Sequence, residues 1–572
     1  MDYARSHGLT DRPGYTRKAV KWAIEIGSEG QYLGVTPLGD PSMRNNPGIV
    51  FVEAPHLEQP ELVSGGKPRS QFLIDRVAIV TNWPDKSGKN QSKHEAFLHL
   101  LSLAKEEVAE LEAWVRCLED RATLNRIQED LKKQHAKGTD LVTIRTSGRF
   151  LVEQHHWHRW WDEYRRSLQP PREMSSLGVC LVTGERSAIA QTHPKIMGLS
   201  AVGGNPSGSS LVSFDKDAFT SYGLSQGANA PIGERVAVAY QSALNDLIRR
   251  GMTLASIRIV YWYRNPVPDE QDLLAFLGQP NRDDQEREAL KEAREQLRQL
   301  TDGARWLNSY EENDNRFYML LLSGVAGRVM VRAWHEGAYT DLRRNVVNWF
   351  KDLEIVRADG SPAPLLGFYS ILRQLVGRGE KEMPAPEVRN LWNAAVFNYA
   401  IPLAVAHRAV NQVLHSVVTG ELPSLGVMAV LKGYLIRMKG ADKDMESALD
   451  PNRPEVSYQL GRFLAVVDQL KAANDPNARG LLASRYFRSA STTPLVVFGR
   501  IVELSEYYLE SLDSNRLKQW FRNQLTEITN RITTIPRTFS FEEQALFALG
   551  YYHQLAAFRR GNKGEGSNND RN

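Results

Sequence analysis

Near Pro364 the hydrophobic pattern of this chain changes period, and that change limits the fold more than any other feature. Beyond it, apolar residues recur at helical spacing. Thr493-Pro494 opens a segment with Val497, Ile501, Leu504, Tyr508 and Leu512 on one stripe, and the next carries Leu517, Phe521, Leu525, Ile528 and Ile532. Ser540 and Glu543 have capping-box spacing ahead of a last helix reaching Phe558. With a helix over 456–473, the pattern predicts an antiparallel bundle of about four helices. Before Pro364, short strands and helices mix. Tyr32–Val35, Gly48–Val52, Val77–Val80 and Ser256–Tyr263 read as strands, and 316–322 with 328–334 as a hairpin. Helices are predicted over His94–Arg116, Ala122–Gln134 and, from the Asn229 and Pro231 start signal, Pro231–Arg250. Glu270–Leu300 is a strongly charged helical stretch. Strands interleaved irregularly with helices, then helices alone, predict an α+β fold.

These patterns divide the chain into a mixed region 1–175, a loop-rich mixed region 176–360, a helical connector 361–440, a helical bundle 441–560 and a polar tail 561–572, expected to be disordered. The 572 residues allow about two to four domains. A net charge of +4 is too small to demonstrate nucleic-acid binding but permits local basic grooves. Two cysteines, Cys117 and Cys180, exclude a disulfide framework or a four-thiolate zinc site within one chain, and fit a reducing cytoplasm. The first residues lack the apolar core of a signal peptide. The most apolar stretch, 394–406, is interrupted by Asn398 and Pro402 and is too short to cross a bilayer; it reads as a buried helix pair.

Candidate chemistry concentrates in the loop-rich block Gly178–Pro231. Val202–Ser210 and Ser221–Asn229 are dense in small residues, which let a main chain approach a ligand and aim N–H groups at it. Val202–Ser210 is neither a phosphate-binding loop followed by Gly-Lys-Ser/Thr nor a dinucleotide fingerprint. A plain surface turn and a backbone clamp on phosphate or base edges remain open. Lys195, after His193-Pro194, reads as a phosphate-seeking lysine. Ser64–Gln71 is a second exposed loop, in which Lys67 and Arg69 suit phosphates and Gln71 a base, against the alternative of a solvated turn. Arg328 and Arg332 share a strand face and suit a phosphate backbone or neighbouring acids. Lys518 and Arg522, one helical turn apart, read as a solvated face unless a strand runs past them. His155, His156 and His158 in HHWHRWW invite a metal, but no acidic ligand is suitably spaced, and aromatic packing at a helix start is the favoured reading. Cys180 has apolar neighbours and reads as a buried strand residue.

At this point the letters resemble a known family. CLVTGE at 180–185, HPKI at 193–196, SGSSLVSF at 207–214 and AFTSYGLSQGANAP at 218–231 are similar to the large subunit of the type I-C CRISPR Cascade complex. PGYTRKAVKWAIEI near the start, SGGKPRSQFLID at 64–75 and EEQALFALGYYHQ at 542–554 extend the resemblance through most of the chain. One departure is Leu322–Arg328, where the family pattern has Pro-Asn after the serine.

The resemblance implies a cytoplasmic, non-catalytic subunit of an RNA-guided complex, without metal or cofactor. Such a subunit recognises the protospacer-adjacent motif in double-stranded DNA, promotes opening and R-loop formation, holds the displaced strand and supports recruitment of a helicase–nuclease. Its implied partners are the guide RNA with backbone and RNA-processing subunits, the target DNA and the helicase–nuclease, with no membrane. On this basis Lys67, Arg69, Gln71, Lys195, Asn205, Ser207, Ser209, Ser210, Gln226 and Asn229 are the motif candidates, and Arg328, Arg332, Lys518 and Arg522 the strand candidates. The bundle resembles the small subunit, which in this family can arise from an internal start in the same gene. Met445 is the candidate start and Met438 its competitor. The rivals are an architectural protein binding only protein and guide RNA, and a hydrolase using His193 or Cys180.

Overall fold

The computed structural model describes residues 2–9, 12–40, 46–58, 61–62, 68–85, 88–168, 177–268, 272–278, 314–376, 383–438, 445–475 and 482–566, with side chains to 560. The charged stretch 270–300, apart from 272–278, and the tail 567–572 lie outside the described residues. The fold is α+β, with the sheets in the first 338 residues and helices alone thereafter among the described residues. The chain forms two compact units, Met1–Arg250 with Gly324–Met330, and Gly251–Ser323 with Val331–Asn572.

The first unit opens with helix α1 (Asp2–Ser6) and the strands β1 (Tyr15–Val20), β2 (Trp22–Ile26), β3 (Tyr32–Pro37), β4 (Ile49–Pro55) and β5 (Asp75–Arg76). Helices α2 (Val77–Val80), α3 (Lys89–Ala104), α4 (Leu111–Glu119) and α5 (Arg121–Lys133) lead to β6 (Leu141–Thr146), β7 (Arg149–Phe150) and α6 (His158–Ser167). In the main sheet β2 pairs antiparallel with β3 and parallel with β6, and β6 also carries β5 and β7. β1 and β4 form a separate antiparallel ribbon. The tryptophans of HHWHRWW explain the spacing of that motif. Trp157 and Trp161 are fully buried around Phe72, with Trp161 stacked on it at 5.4 Å. Both indoles find buried carbonyls, Trp161 on Gly14 and Trp157 on Leu151.

Two expectations for this unit fail. Val77–Val80 is a helical turn, because β5 takes the strand pairing and the Thr81 amide closes back on the Val77 carbonyl. The predicted helix 94–116 is two helices, since α3 stops at Ala104 and Val108 turns fully into the core before α4. A short hairpin, β8 (Leu177–Val179) with β9 (Arg186–Ala188), then precedes the loop block and α7 (Glu234–Arg250). α7 begins after Pro231 because the carbonyls of Pro231 and Ile232 accept from Leu181 and Ala190, which holds that segment extended.

The second unit carries the antiparallel strands β10 (Met252–Leu254), β11 (Ile257–Tyr263) and β12 (Arg316–Val325), with β13 (Arg328–Ala338) beside β12. Ala326 and Gly327, within the 324–330 segment that clusters with the first unit, make the tight turn of the expected hairpin at φ +48° and +79°. Helix α8 (Leu273–Gly278) lies within the sheet sequence. α9 (Tyr339–Asp352), α10 (Phe368–Leu375), α11 (Ala385–Phe397), α12 (Leu403–Val418) and α13 (Leu425–Arg437) follow. The 394–406 stretch is thus the junction of two helices, and among the described residues no helix is long and apolar enough to cross a membrane.

The last helices are α14 (Val456–Asn474), α15 (Leu482–Thr492), α16 (Pro494–Glu510), α17 (Asn515–Thr529) and α18 (Phe541–Gly566). α14 is the axis and packs on each of the other four. It crosses α18 backbone to backbone: a Cβ at Gly461 would lie 2.1 Å from the Phe547 carbonyl oxygen, and one at Gly550 2.1 Å from that of Tyr458. The buried Arg462 guanidinium is satisfied by Gln554, Gln459 and Glu527. The capping box forms as spaced, with the Ser540 amide on Glu543 at 2.7 Å and the Glu543 amide on Ser540 at 3.2 Å.

Candidate nucleic-acid interface

The loop block is built inward before it is exposed outward. Ile196 and Ser209 exchange both backbone hydrogen bonds at 2.9 Å, so the Lys195 segment runs beside the glycine-rich turn. Ser209 is fully buried, and its hydroxyl accepts from the Asn205 amide. The Asn205 carboxamide oxygen accepts from both the amide and the hydroxyl of Ser207. The amides of Gly203, Gly204, Gly208 and Ser210 are also spent on protein carbonyls, that of Ser210 on Gly327. The crossing is tight: a Cβ on Gly324 would lie 2.1 Å from the Gly204 Cα. The small residues of 202–210 therefore serve a close backbone crossing, and a clamp of outward-facing N–H groups does not form. Any contact of this turn with a ligand would therefore fall to side chains.

Two side chains of this block, Lys195 and Ser207, border a pocket of about 480 Å³ in the first unit. Lys18 of β1, Val50 and Val52 of β4, Glu58, Lys195 with Ser207, and Asn245 of α7 contribute to its walls. Lys18 is buried, and its ammonium donates to the carbonyls of Pro55 (2.7 Å) and Ile74 (3.3 Å). Burial lowers its pKa to about 8, with Asp75 opposing. His56 is lowered to about 3, first by burial and then by Lys18 and Arg165, so it stands neutral. Glu58 is raised to about 7 by burial and by Glu61, against Arg165 and Lys195. Asp246, also on the wall, is held by the Tyr3 hydroxyl and by Arg249 and Arg250. The pocket is thus a mixed apolar and cationic concavity in which one carboxyl titrates near neutrality.

The chain just before the second loop reaches the same pocket. Leu57 and Leu62 line it, and Gln71 binds both backbone groups of Leu57, at 2.8 and 3.0 Å. Gln71 thereby fixes the segment rather than projecting from it. Arg69 donates to the Glu61 carbonyl, and Lys67 lies outside the described residues. Across the block, Gln226 is exposed at φ +44°, and its carbonyl accepts from the Asn229 carboxamide, so Asn229 braces a turn.

With that geometry in place, the chain can be compared with known proteins. It matches the family model described as CRISPR-associated protein (Cas_Csd1) over residues 3–559. The chain belongs to this family. A search of curated proteins finds no match. The other sites of this Cas_Csd1 chain fall as follows. Arg328 is exposed and lies 3.8 Å from Asp215, while Arg332 donates to the Ser323 hydroxyl at 2.7 Å. On α17 the Lys518 ammonium reaches the Glu510 carbonyl and Arg522 is exposed. Met445 is buried in the core of the second unit. Cys180 is buried in the turn between β8 and β9, not in a strand. Burial raises its pKa, but amides of Gly233, Thr183 and Val182 bring it down to about 7. His193 pairs with the Tyr240 hydroxyl at 2.7 Å.

Sequence reasoning missed three features. It found no acid near the histidines, yet Glu53 of β4 brings one carboxylate oxygen to within 4.8 Å of ligand atoms of His155 and His158. Arg12 already sits 2.9 Å from the His158 Nδ1 and pairs with Asp162, so a guanidinium occupies that ring nitrogen. Lys18 was missed because it acquires its character from burial, and Glu58 because it does so from burial and from Glu61 beside it. The β1–β4 register shifts between Thr16 and Lys18, so simple alternation along the strand does not reveal that Lys18 turns inward.

Proposed function

We propose that this chain is the large subunit of a type I-C Cascade complex and reads the protospacer-adjacent motif in duplex DNA without catalysing any step. It helps to open the duplex, holds the displaced strand and supports docking of a helicase–nuclease, while guide RNA reads the target by base pairing. The observation that carries this reading is the convergence of Lys195, Ser207, residues 56–58 and Leu62 on one cationic pocket, in a chain of the Cas_Csd1 family. Lys195 faces phosphate, Ser207 and the pocket wall face the groove, and Arg328, Arg332, Lys518 and Arg522 supply backbone contacts along the displaced strand. We further infer that the bundle from Met445 onward can be produced separately as a small subunit.

The test is binding of the purified assembly to duplexes with randomised bases beside the target. Lys195→Ala is expected to weaken every duplex to a similar degree and to reduce the slope of log affinity against log salt by about one. An unchanged slope removes Lys195 from the interface. Wild-type binding that ignores the flanking bases would instead favour an architectural subunit.

A further inference from the structure

Between the two anchored ends of the loop block stands a projecting finger, residues 211–226. Tyr222 at its tip is 92% exposed, the most exposed of the large hydrophobic side chains among the described residues. Phe219 and Leu224 beside it are 36% and 43% exposed. The finger is braced. At one end the Ser210 amide donates to Gly327 and the Ser210 carbonyl accepts from Val329. At the other the Gly227 amide donates to Gln191. Within it, the amides of Phe219, Thr220 and Gly223 close turns onto Lys216, Asp217 and Thr220 at 2.9–3.0 Å. Phe214 meets Phe219 edge to face at 5.3 Å, beneath the tip. Two exposed cations, Lys216 within the finger and Arg328 3.8 Å from Asp215, accompany it, with the exposed acids Asp215 and Asp217 on either side of Lys216.

A flat aromatic ring held out on a braced loop, with cations alongside, matches the recognition of unpaired nucleic acid. Every base offers a π face, so stacking needs no sequence, and bracing removes the entropy cost of ordering the ring on contact. We propose that Tyr222 stacks on an unpaired nucleobase of the DNA strand beside the motif, with Lys216 and Arg328 on the flanking phosphates. This rests on the DNA-binding reading above. It adds a base-holding residue that neither loop composition nor the pocket identifies, and it gives Gln226 and Asn229 the role of bracing the finger.

The test uses the full chain with a short single strand carrying 2-aminopurine, and the purified assembly with target duplexes carrying that base at each position beside the motif. Wild type is expected to quench the probe at one position. Tyr222→Ala should lose that quenching and weaken single-strand binding about tenfold, while Tyr222→Phe retains both. Binding and quenching within twofold of wild type in Tyr222→Ala would overturn the proposal. So would failure of Tyr222→Ala alone to enter the assembly, which would make the tip a protein contact. If the wild-type assembly ignores the motif while Tyr222 still governs quenching on the single strand, the motif reading fails and the stacking assignment stands.

Discussion

If the pocket faces DNA as proposed, a carboxyl that titrates near neutrality in it makes binding depend on pH in one direction. Glu58 is raised to about 7, first by burial and then by Glu61. Below that pH it is protonated and leaves Lys195 uncompensated. Above it, the carboxylate attracts Lys195 and repels phosphate. Affinity of the assembly for duplex DNA is therefore expected to fall as pH rises from about 6 to about 8.5, by about threefold to tenfold, the size of one partly screened charge pair of ~1 kcal/mol. Glu58→Gln should hold the low-pH affinity up to about pH 7.5, above which Lys18, lowered to about 8, also loses charge, as measured by anisotropy at constant salt. A wild-type profile that is flat, or one that survives in Glu58→Gln, assigns the titration elsewhere. None of this was legible in the sequence, where Glu58 is one acid among many and is raised only once folding buries it beside Glu61.

Among elements, the helices of the second unit were legible because their information is local. Stripe, cap and proline act within a few residues, and Ser540 with Glu543 forms the capping box its spacing predicted. Elements fixed by distant partners were misread. Val77–Val80 has strand letters but a helical backbone, and the Pro231 start signal is overridden by pairing to Leu181 and Ala190. The glycine-rich turn was legible as a close approach, but not its object, the backbone at Gly324. The same limit applies to Gly550, which looks like a helix weakness in the sequence and is the contact point of α14 with α18. Gly550→Ala gains up to about 1 kcal/mol of helix propensity. It must also displace the Tyr458 carbonyl that its Cβ would approach to 2.1 Å, and overpacking of this kind costs about 1–3 kcal/mol. Net destabilisation is expected in urea unfolding. Gly499→Ala on α16, where a Cβ meets nothing within 4 Å, serves as the control and should be neutral or stabilising. Equal effects of the two substitutions would mean that the helix crossing is not under steric control.

At the scale of the molecule, the last five helices have the organisation of a separable body that is nevertheless built into a larger core. α14 is enclosed by α15 to α18, so a product from Met445 to Asn572 retains its axis and the Arg462 network. It loses a specific set of neighbours. His407 of α12 and Tyr434 of α13 pack on Phe541, and the carbonyl of Val356 takes the Tyr552 hydroxyl at 3.0 Å. A separate product would expose Phe541 and Tyr552, and burying that face again supplies a reason to associate with the rest of an assembly. Met445 itself is a core residue, so its substitution must conserve volume to separate translation from folding. Met445→Leu is expected to cost under about 1.5 kcal/mol and to leave the full chain folded. If Met445 is the internal start, this change should abolish a co-purifying fragment whose N-terminus is that methionine, as read by intact mass. A fragment that persists unchanged would move the start to Met438 or show it to be a proteolytic product. A wild-type preparation without any fragment would leave the bundle as a domain of the full chain alone.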